Sequence, residues 1–192
     1  MPPARASRLS GEDFTAYPMP TTQKKLGELY DLIGDIEIAL MTTRRADGHL
    51  VTRPMATQDH GSYADLWFVT NIETDKIDEI EHDAHVNLGY LDSGSMEWVS
   101  VSGTATVTQD RAKIHELYAP DWKAWFADEG GDRDGGPDDP RLALILVDAH
   151  TVHYMKAKHS KPVTLFEIAK GIVTGTQPDV GREEHLSADE LD

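Results

Sequence analysis

From Met96 to Gln109 the chain alternates between apolar and polar residues. Val99, Val101, Ala105 and Val107 fall on one side, and Trp98, Ser100, Ser102, Thr104 and Thr106 on the other. A period of two marks a strand with one face buried. The run is long for a strand, and Gly103 in its middle predicts a bend of the kind found at a barrel corner. A strand of this kind needs antiparallel neighbours, and the flanking sequence supplies them.

The segment 36–44 is apolar and β-branched, Arg45-Ala46-Asp47-Gly48 carries the Asp-Gly hairpin signal, and 49–57 returns. A second turn at Asp59-His60-Gly61-Ser62 leads into a third strand over 65–70. The period then switches to helical over 73–82, with Ile77 and Ile80 on one face. A strand over 85–92 follows, and Ser93-Gly94-Ser95 turns the chain into the long alternating run. A helix is expected at the start, with Thr21 as N-cap, Leu26, Leu29, Tyr30 and Ile33 on one face, and an end near Gly34. Asp110 should cap another helix, and a short one should hold Trp122, Trp125 and Phe126. Residues 142–155 form a last strand, apolar on both faces at its start, so something must cover its second face. Pro162 opens a last helix with Leu165, Phe166, Ala169, Ile172 and Val173. About six antiparallel strands with flanking helices favour a closed or partly split β-barrel over an open sheet.

With 192 residues, one domain over about 21–175 is expected. Residues 1–20 are rich in Pro, Ser and Ala and are expected to be a disordered arm; 176–192 reads as an acidic C-terminal tail. Acidic residues number 34 against 18 basic, a net charge of −16. Such a surface repels nucleic acid and anionic membranes. The absence of cysteine removes disulfides, thiol nucleophiles and Cys-ligated zinc, and fits a reducing cytoplasm. The opening residues lack the apolar core of a secretory signal, and the longest apolar run, Leu142 to Val147, cannot span a bilayer.

Few residues suggest chemistry. His150 and His153 should face opposite sides of a strand, so no metal site is expected there. Asp132, Asp134, Asp138 and Asp139 read as a solvated acidic loop, and the Trp122, Trp125 and Phe126 group as core or interface. No nucleophile elbow is present. Arg53 shares a strand face with Val51 and Met55, and a guanidinium there needs either a carboxylate partner or a ligand. Lys76 falls in the first turn of a helix that Thr74 should cap, where a cation opposes the dipole. It is either a solvated lysine paired with Asp75 or Glu79, or part of a phosphate site with Arg53, Thr70 and Thr74.

The ordered set of RADG hairpin, TRPMAT strand, DLWFVTN strand and TDKIDEI helix resembles the pyridoxamine 5′-phosphate oxidase-like superfamily of flavin-binding split barrels. MEWVSVSGTATV, WKAWF with its acidic loop, VHYMKAKHSKPVTLFEIAKGIVTG and the closing GREEHL resemble its bacterial general stress protein 26-like branch. The likeness covers nearly all of residues 22–186. It implies a six-stranded split barrel that binds FMN, or alternatively FAD, at the two interface sites of a homodimer. It implies that Arg53, Thr74 and Lys76 hold the flavin phosphate. Thr52, Pro54 and Met55 would lie along the ribityl chain and ring, Val69 and Thr70 would add contacts, and Trp98 would lie near the isoalloxazine. Departures stand beside these matches. The oxidases carry arginine where Asp75 stands, lysine at Gln58 and a flavin-packing tryptophan at Met155, and their substrate-reading arginine has no counterpart among Lys156, Lys158 and Lys161. The resemblance therefore implies a flavin-binding stress protein without vitamin B6 oxidation. The alternative is a flavin-dependent oxidoreductase that uses NAD(P)H on another small molecule.

Overall fold

The computed structural model describes residues 21–58, 64–157, 170 and 181–191. The N-terminal arm, the turn expected at Asp59-His60-Gly61-Ser62 and, apart from Lys170, the helix expected from Pro162 lie outside the described residues. Helix α1 (Thr22–Ile36) starts where Thr21 accepts the Lys24 backbone N–H through its hydroxyl. It runs past Gly34 and ends at Glu37, whose N–H closes on Ile33 O at 2.8 Å with a φ of 63°. Strands β1 (Ile38–Arg44) and β2 (Leu50–Ala56) form the predicted hairpin, and Gly48 supplies the positive φ its turn requires. Then follow β3 (Leu66–Asn71), α2 (Asp75–His82), β4 (His85–Asp92), β5 (Glu97–Thr108) and α3 (Arg111–Leu117). A 3-10 turn (Pro120–Trp125), β6 (Leu142–Ala157), β7 (Gly181–Ser187) and α4 (Ala188–Leu191) complete the order.

All strand pairs are antiparallel, in the order β2-β1-β4-β5-β6-β3, with β7 also on β6. Strand β6 is the spine. One edge runs along β5, while the other pairs with β3 over Leu142–Val147 and with β7 over Thr151–Ala157. The sheet curls but does not close. Among the described residues its ends are joined, just past β2, by the Thr57–Phe68 bridge and the Gln58 N–H to Trp67 O bond of 3.1 Å rather than by a strand ladder. The split barrel expected from the sequence is what forms.

Two expectations need correction. Among the described residues there are seven strands, not six, and the seventh lies in the segment read as an acidic tail. Strand β7 carries only one large apolar side chain inward, Leu186, but ion pairs add to its seating. Arg182 lies between Glu28 and Glu184, and Lys25 holds Glu184 at 3.1 Å. Secondly, the acidic loop is not simply solvated. Asp139 is 0% exposed and accepts hydrogen bonds from Arg141, while Asp134 pairs with Lys123 and Asp138 with His115.

The predicted bend is present. Pairing between β5 and β6 shifts at Ser102/Gly103, and a Cβ on Gly103 would stand 2.2 Å from Asp148 O, so only glycine fits. The shift also brings His150 to Thr104 on the face that His153 occupies, instead of the opposite one. The barrel interior is filled by Ala39, Met41, Phe68, Leu88, Val101 and Ile145 and capped by Leu29, Leu32 and Ile33 of α1. A second core of Trp67, Ile114, Trp122, Phe126, Leu142 and Leu144 covers the other face of early β6. The cover that a doubly apolar β6 requires thus comes from its own chain. Among the described residues no helix is long and apolar enough to cross a membrane.

Candidate functional site

Strand β2 is an edge of the sheet, and Pro54, which cannot donate to a ladder, is tolerated there. Two adjoining clefts open beside it. The first, about 880 Å³, lies between β2, the β1–β2 hairpin and the start of α2, and includes Arg53, Thr74, Asp75 and Lys76. The second, about 370 Å³, runs from Val69 and Thr70 to an aromatic wall of Trp122, Trp125 and Phe126. Both are bordered by Pro54, Met55, Thr74 and Lys76, so they form one continuous groove.

Arg53 points inward on β2, opposite Met41. Its guanidinium pairs with the buried Glu79 of α2, and the Thr43 hydroxyl accepts from Arg53 while donating to the same Glu79 oxygen. The carboxylate partner that the sequence allowed for Arg53 is therefore present. Desolvating a guanidinium on a core-facing strand requires such a partner. Glu79 was not recognised as part of the site from sequence. The available signal was its position three residues after Lys76, on the helical side that carries Ile80 inward.

Lys76 is arranged differently. Its ammonium donates to Thr74 Oγ1 at 2.8 Å and to Thr70 Oγ1 at 3.1 Å. Among the described residues no carboxylate lies within ion-pair distance of it, so the pairing with Asp75 or Glu79 that the sequence also allowed does not form. Burial first, and then the Arg53 charge, hold its pKa below the ordinary lysine value. Thr74 precedes α2 as expected but does not cap it through its side chain; its hydroxyl donates to Asn71 O at 2.7 Å and accepts from Lys76. The arrangement is a half-buried cation with two hydroxyls at a helix start, beside a second cation already neutralised by Glu79. Such a donor set can hold an anion.

Of the nine residues named for the site, Arg53, Pro54, Met55, Val69, Thr70, Thr74 and Lys76 border the groove. Thr52 and Trp98 do not. Thr52 alternates to the outer face of β2, where its hydroxyl lies 2.8 Å from that of Thr42. Trp98 pairs with Leu91 and Met155 at the start of β5, on that same outer face of the sheet.

The aromatic wall is rigidly backed. Trp122 donates through Nε1 to Gln58 Oε1 at 3.0 Å and stands edge-on to Trp67 and Tyr118. Phe126 lies under the Arg141 guanidinium, 5.5 Å from its ring centre. Arg141 is bound by Asp139, Glu129 and the carbonyls of Ala127 and Arg133. Its hydrogen bonds hold the Asp139 carboxyl far below the usual carboxylate range, against the opposing effect of burial.

The fold and the groove define a class of small domains, split antiparallel barrels with a cation-and-hydroxyl groove beside an edge strand. Comparison with known proteins gives the family. Residues 24–179 match the family described as pyridoxamine 5′-phosphate oxidase like, and the chain belongs to it. The protein bli-3 of Neurospora crassa is 36% identical over 173 residues, which span 88% of this chain and 82% of bli-3. A Clostridium acetobutylicum protein related to general stress protein 26 of B. subtilis superposes with a TM-score of 0.63 at 17% identity, covering 88% of this chain and 99% of its own. The general stress FMN/FAD binding protein of Xanthomonas citri superposes with a TM-score of 0.54 at 26% identity, covering 66% of this chain and 84% of its own.

Proposed function

We propose that this protein binds a flavin nucleotide, FMN first and FAD as the alternative, as a cytoplasmic homodimer with a stress-related role. The observation that carries this reading is Lys76, a half-buried ammonium held by Thr70 and Thr74 with no carboxylate partner among the described residues. A phosphate there would be held by a charge that the fold leaves uncompensated. Pro54, Met55 and Val69 offer an apolar strip alongside for the ring. The matching family and the FMN/FAD-binding stress protein from Xanthomonas citri point the same way.

A bound flavin would supply hydride or electron transfer, and the chain's own residues would bind and orient it. Lys76 and Thr74 would grip the phosphate. Arg53, held by Glu79 and Thr43, would present its remaining N–H groups from a fixed position. Two features of the groove weigh against the pyridoxamine phosphate oxidase reaction. Asp75 places a negative charge in the phosphate-facing cleft, and Gln58 is engaged by Trp122.

The homodimer is inferred from the outer face of the sheet. Leu40 and Leu91 are 50% and 56% exposed there, beside Ile38 and Trp98. Contiguous apolar exposure of this kind marks an association surface. A second copy seated on it would bring Trp98 of one chain toward the groove of the other.

The test is denaturing release of any bound chromophore from purified protein, identified by absorbance and chromatography. Melting curves with FMN, FAD and riboflavin accompany it. At 100-fold excess over Kd, a native-state ligand adds about 2.7 kcal/mol. Absence of any shift with all three flavins removes the assignment. Bleaching by NADH or NADPH with reoxidation in air would favour the oxidoreductase alternative over a binding module.

A further inference from the structure

Three aromatic side chains follow α3 in close succession, and their fates differ. Trp122 and Phe126 are buried in the second core at 2% and 7% exposure, whereas Trp125 stands 78% exposed. The segment's packing needs are met without it. Its backbone is nevertheless fixed on both sides. Trp122 is tied to Gln58, and the Phe126 N–H closes on Lys123 O at 3.2 Å. Gly135, at a φ of 73°, packs so tightly against this segment that a Cβ there would stand 3.1 Å from Lys123 Cα. The backbone that carries a large, flat, electron-rich ring is thus fixed beside the groove bounded by Met55, Val69, Thr70 and Lys76. Rigid aromatics presented at low entropy cost are what flat ligands stack on.

We propose that Trp125 packs its indole against the isoalloxazine of the flavin, as a contributor to ring affinity from the same chain that binds the phosphate. This rests on the flavin reading above, and it assigns a binding role to a residue that sequence reasoning treated as core or interface. Contact with the ring rather than the phosphate fixes the expected signature. Loss of Trp125 weakens FMN and riboflavin by the same factor, whereas loss of Lys76 weakens FMN alone.

The experiment titrates FMN and riboflavin against the wild type, Trp125→Ala and Trp125→Phe. It reads affinity, the fluorescence of the bound flavin, and mass by light scattering. A stacked indole quenches flavin emission by electron donation, and a phenyl ring does so far less. Trp125→Ala is expected to lose about tenfold in affinity for both ligands, with brighter bound flavin. Trp125→Phe should recover affinity but not quenching, and ligand-free melting should be unchanged in both. Unaltered affinity and emission in Trp125→Ala, with the wild type binding FMN, overturns the stacking role and leaves the flavin reading intact. A fall in mass to the monomer in ligand-free Trp125→Ala also overturns it, because the side chain is then an interface residue. If the wild type binds neither ligand, the flavin reading falls and the proposal with it.

Discussion

Replacing Lys76 by alanine separates ligand binding from stability more cleanly than any other change in the groove. The ammonium touches two hydroxyls, at 2.8 and 3.1 Å, and no carboxylate among the described residues, so its removal breaks no ion pair. It occupies the first turn of α2, where a cation opposes the helix dipole by about 0.3–1 kcal/mol. Ligand-free Lys76→Ala should therefore melt at or slightly above the wild-type temperature. Phosphate binding should respond in the opposite sense. A charge-assisted hydrogen bond contributes about 1.5–3 kcal/mol, so FMN affinity should fall about ten- to a hundredfold. Riboflavin has no phosphate and should bind as before. Arg53→Ala lacks this clarity. It strands the buried carboxylate of Glu79, and removing one partner of a buried pair costs about 3–5 kcal/mol, so it should lower melting temperature and both affinities together. The assay is a pair of flavin-quenching titrations per variant, with ligand-free melting curves. Equal weakening of FMN and riboflavin by Lys76→Ala, or no weakening of FMN, refutes the phosphate role. A marked loss of ligand-free stability refutes the account of Lys76 as a cation the fold does not need.

Alkaline pH should discharge Lys76 earlier than an ordinary lysine, because burial and Arg53 lower its pKa. FMN affinity should decline in that range while riboflavin affinity stays flat, as titrations across pH 7–10 would show; for the ligand-free protein this group alone adds stability as pH rises from its lowered folded pKa toward the unfolded value of about 10.4. Asp139→Ala leaves Arg141 buried without its closest carboxylate and should cost about 3–5 kcal/mol in denaturant unfolding. Because the folded Asp139 pKa is depressed, its contribution is present above the ordinary aspartate pKa of about 3.9 and is lost as the medium is acidified below it. Leu40→Glu puts a charge in the outer apolar face and should shift the protein to monomer by light scattering; a monomeric wild type would remove the proposed interface.

What the sequence made readable was whatever repeats with a period. Strands β1 to β6 and helices α1 to α3 fell within a few residues of their expected bounds, because apolar spacing and the Asp47-Gly48 and Asp110 signals are local. Strand β7 escaped because its inward positions are Arg182, Glu184 and Leu186, a pattern that reads as polar until Lys25 and Glu28 of a distant helix are placed against it. Asp139 and Arg141 were hidden for a related reason. Their pairing at a separation of two residues inside a Gly-rich loop leaves no periodic trace. In the site, the two cations could be named, but not which of them was already spoken for. That depended on Glu79 and Thr43, which meet Arg53 only when α2 packs across the sheet.

The place of β6 in the chain governs how the protein can be made. Its partners β5 and β3 leave the ribosome first, and each must wait with an unsatisfied edge for Leu142–Ala157 to emerge. Leu66 finds Val147 and Trp67 finds Leu146 only after most of the chain has been synthesised. Pairings so distant in sequence form slowly, and open strand edges with apolar faces are what chaperones capture and what aggregates in their absence. Nascent chains arrested before residue 142 should therefore hold the β1–β2 and β4–β5 hairpins but no barrel, and expression yield should depend on chaperone capacity more than the finished fold would suggest.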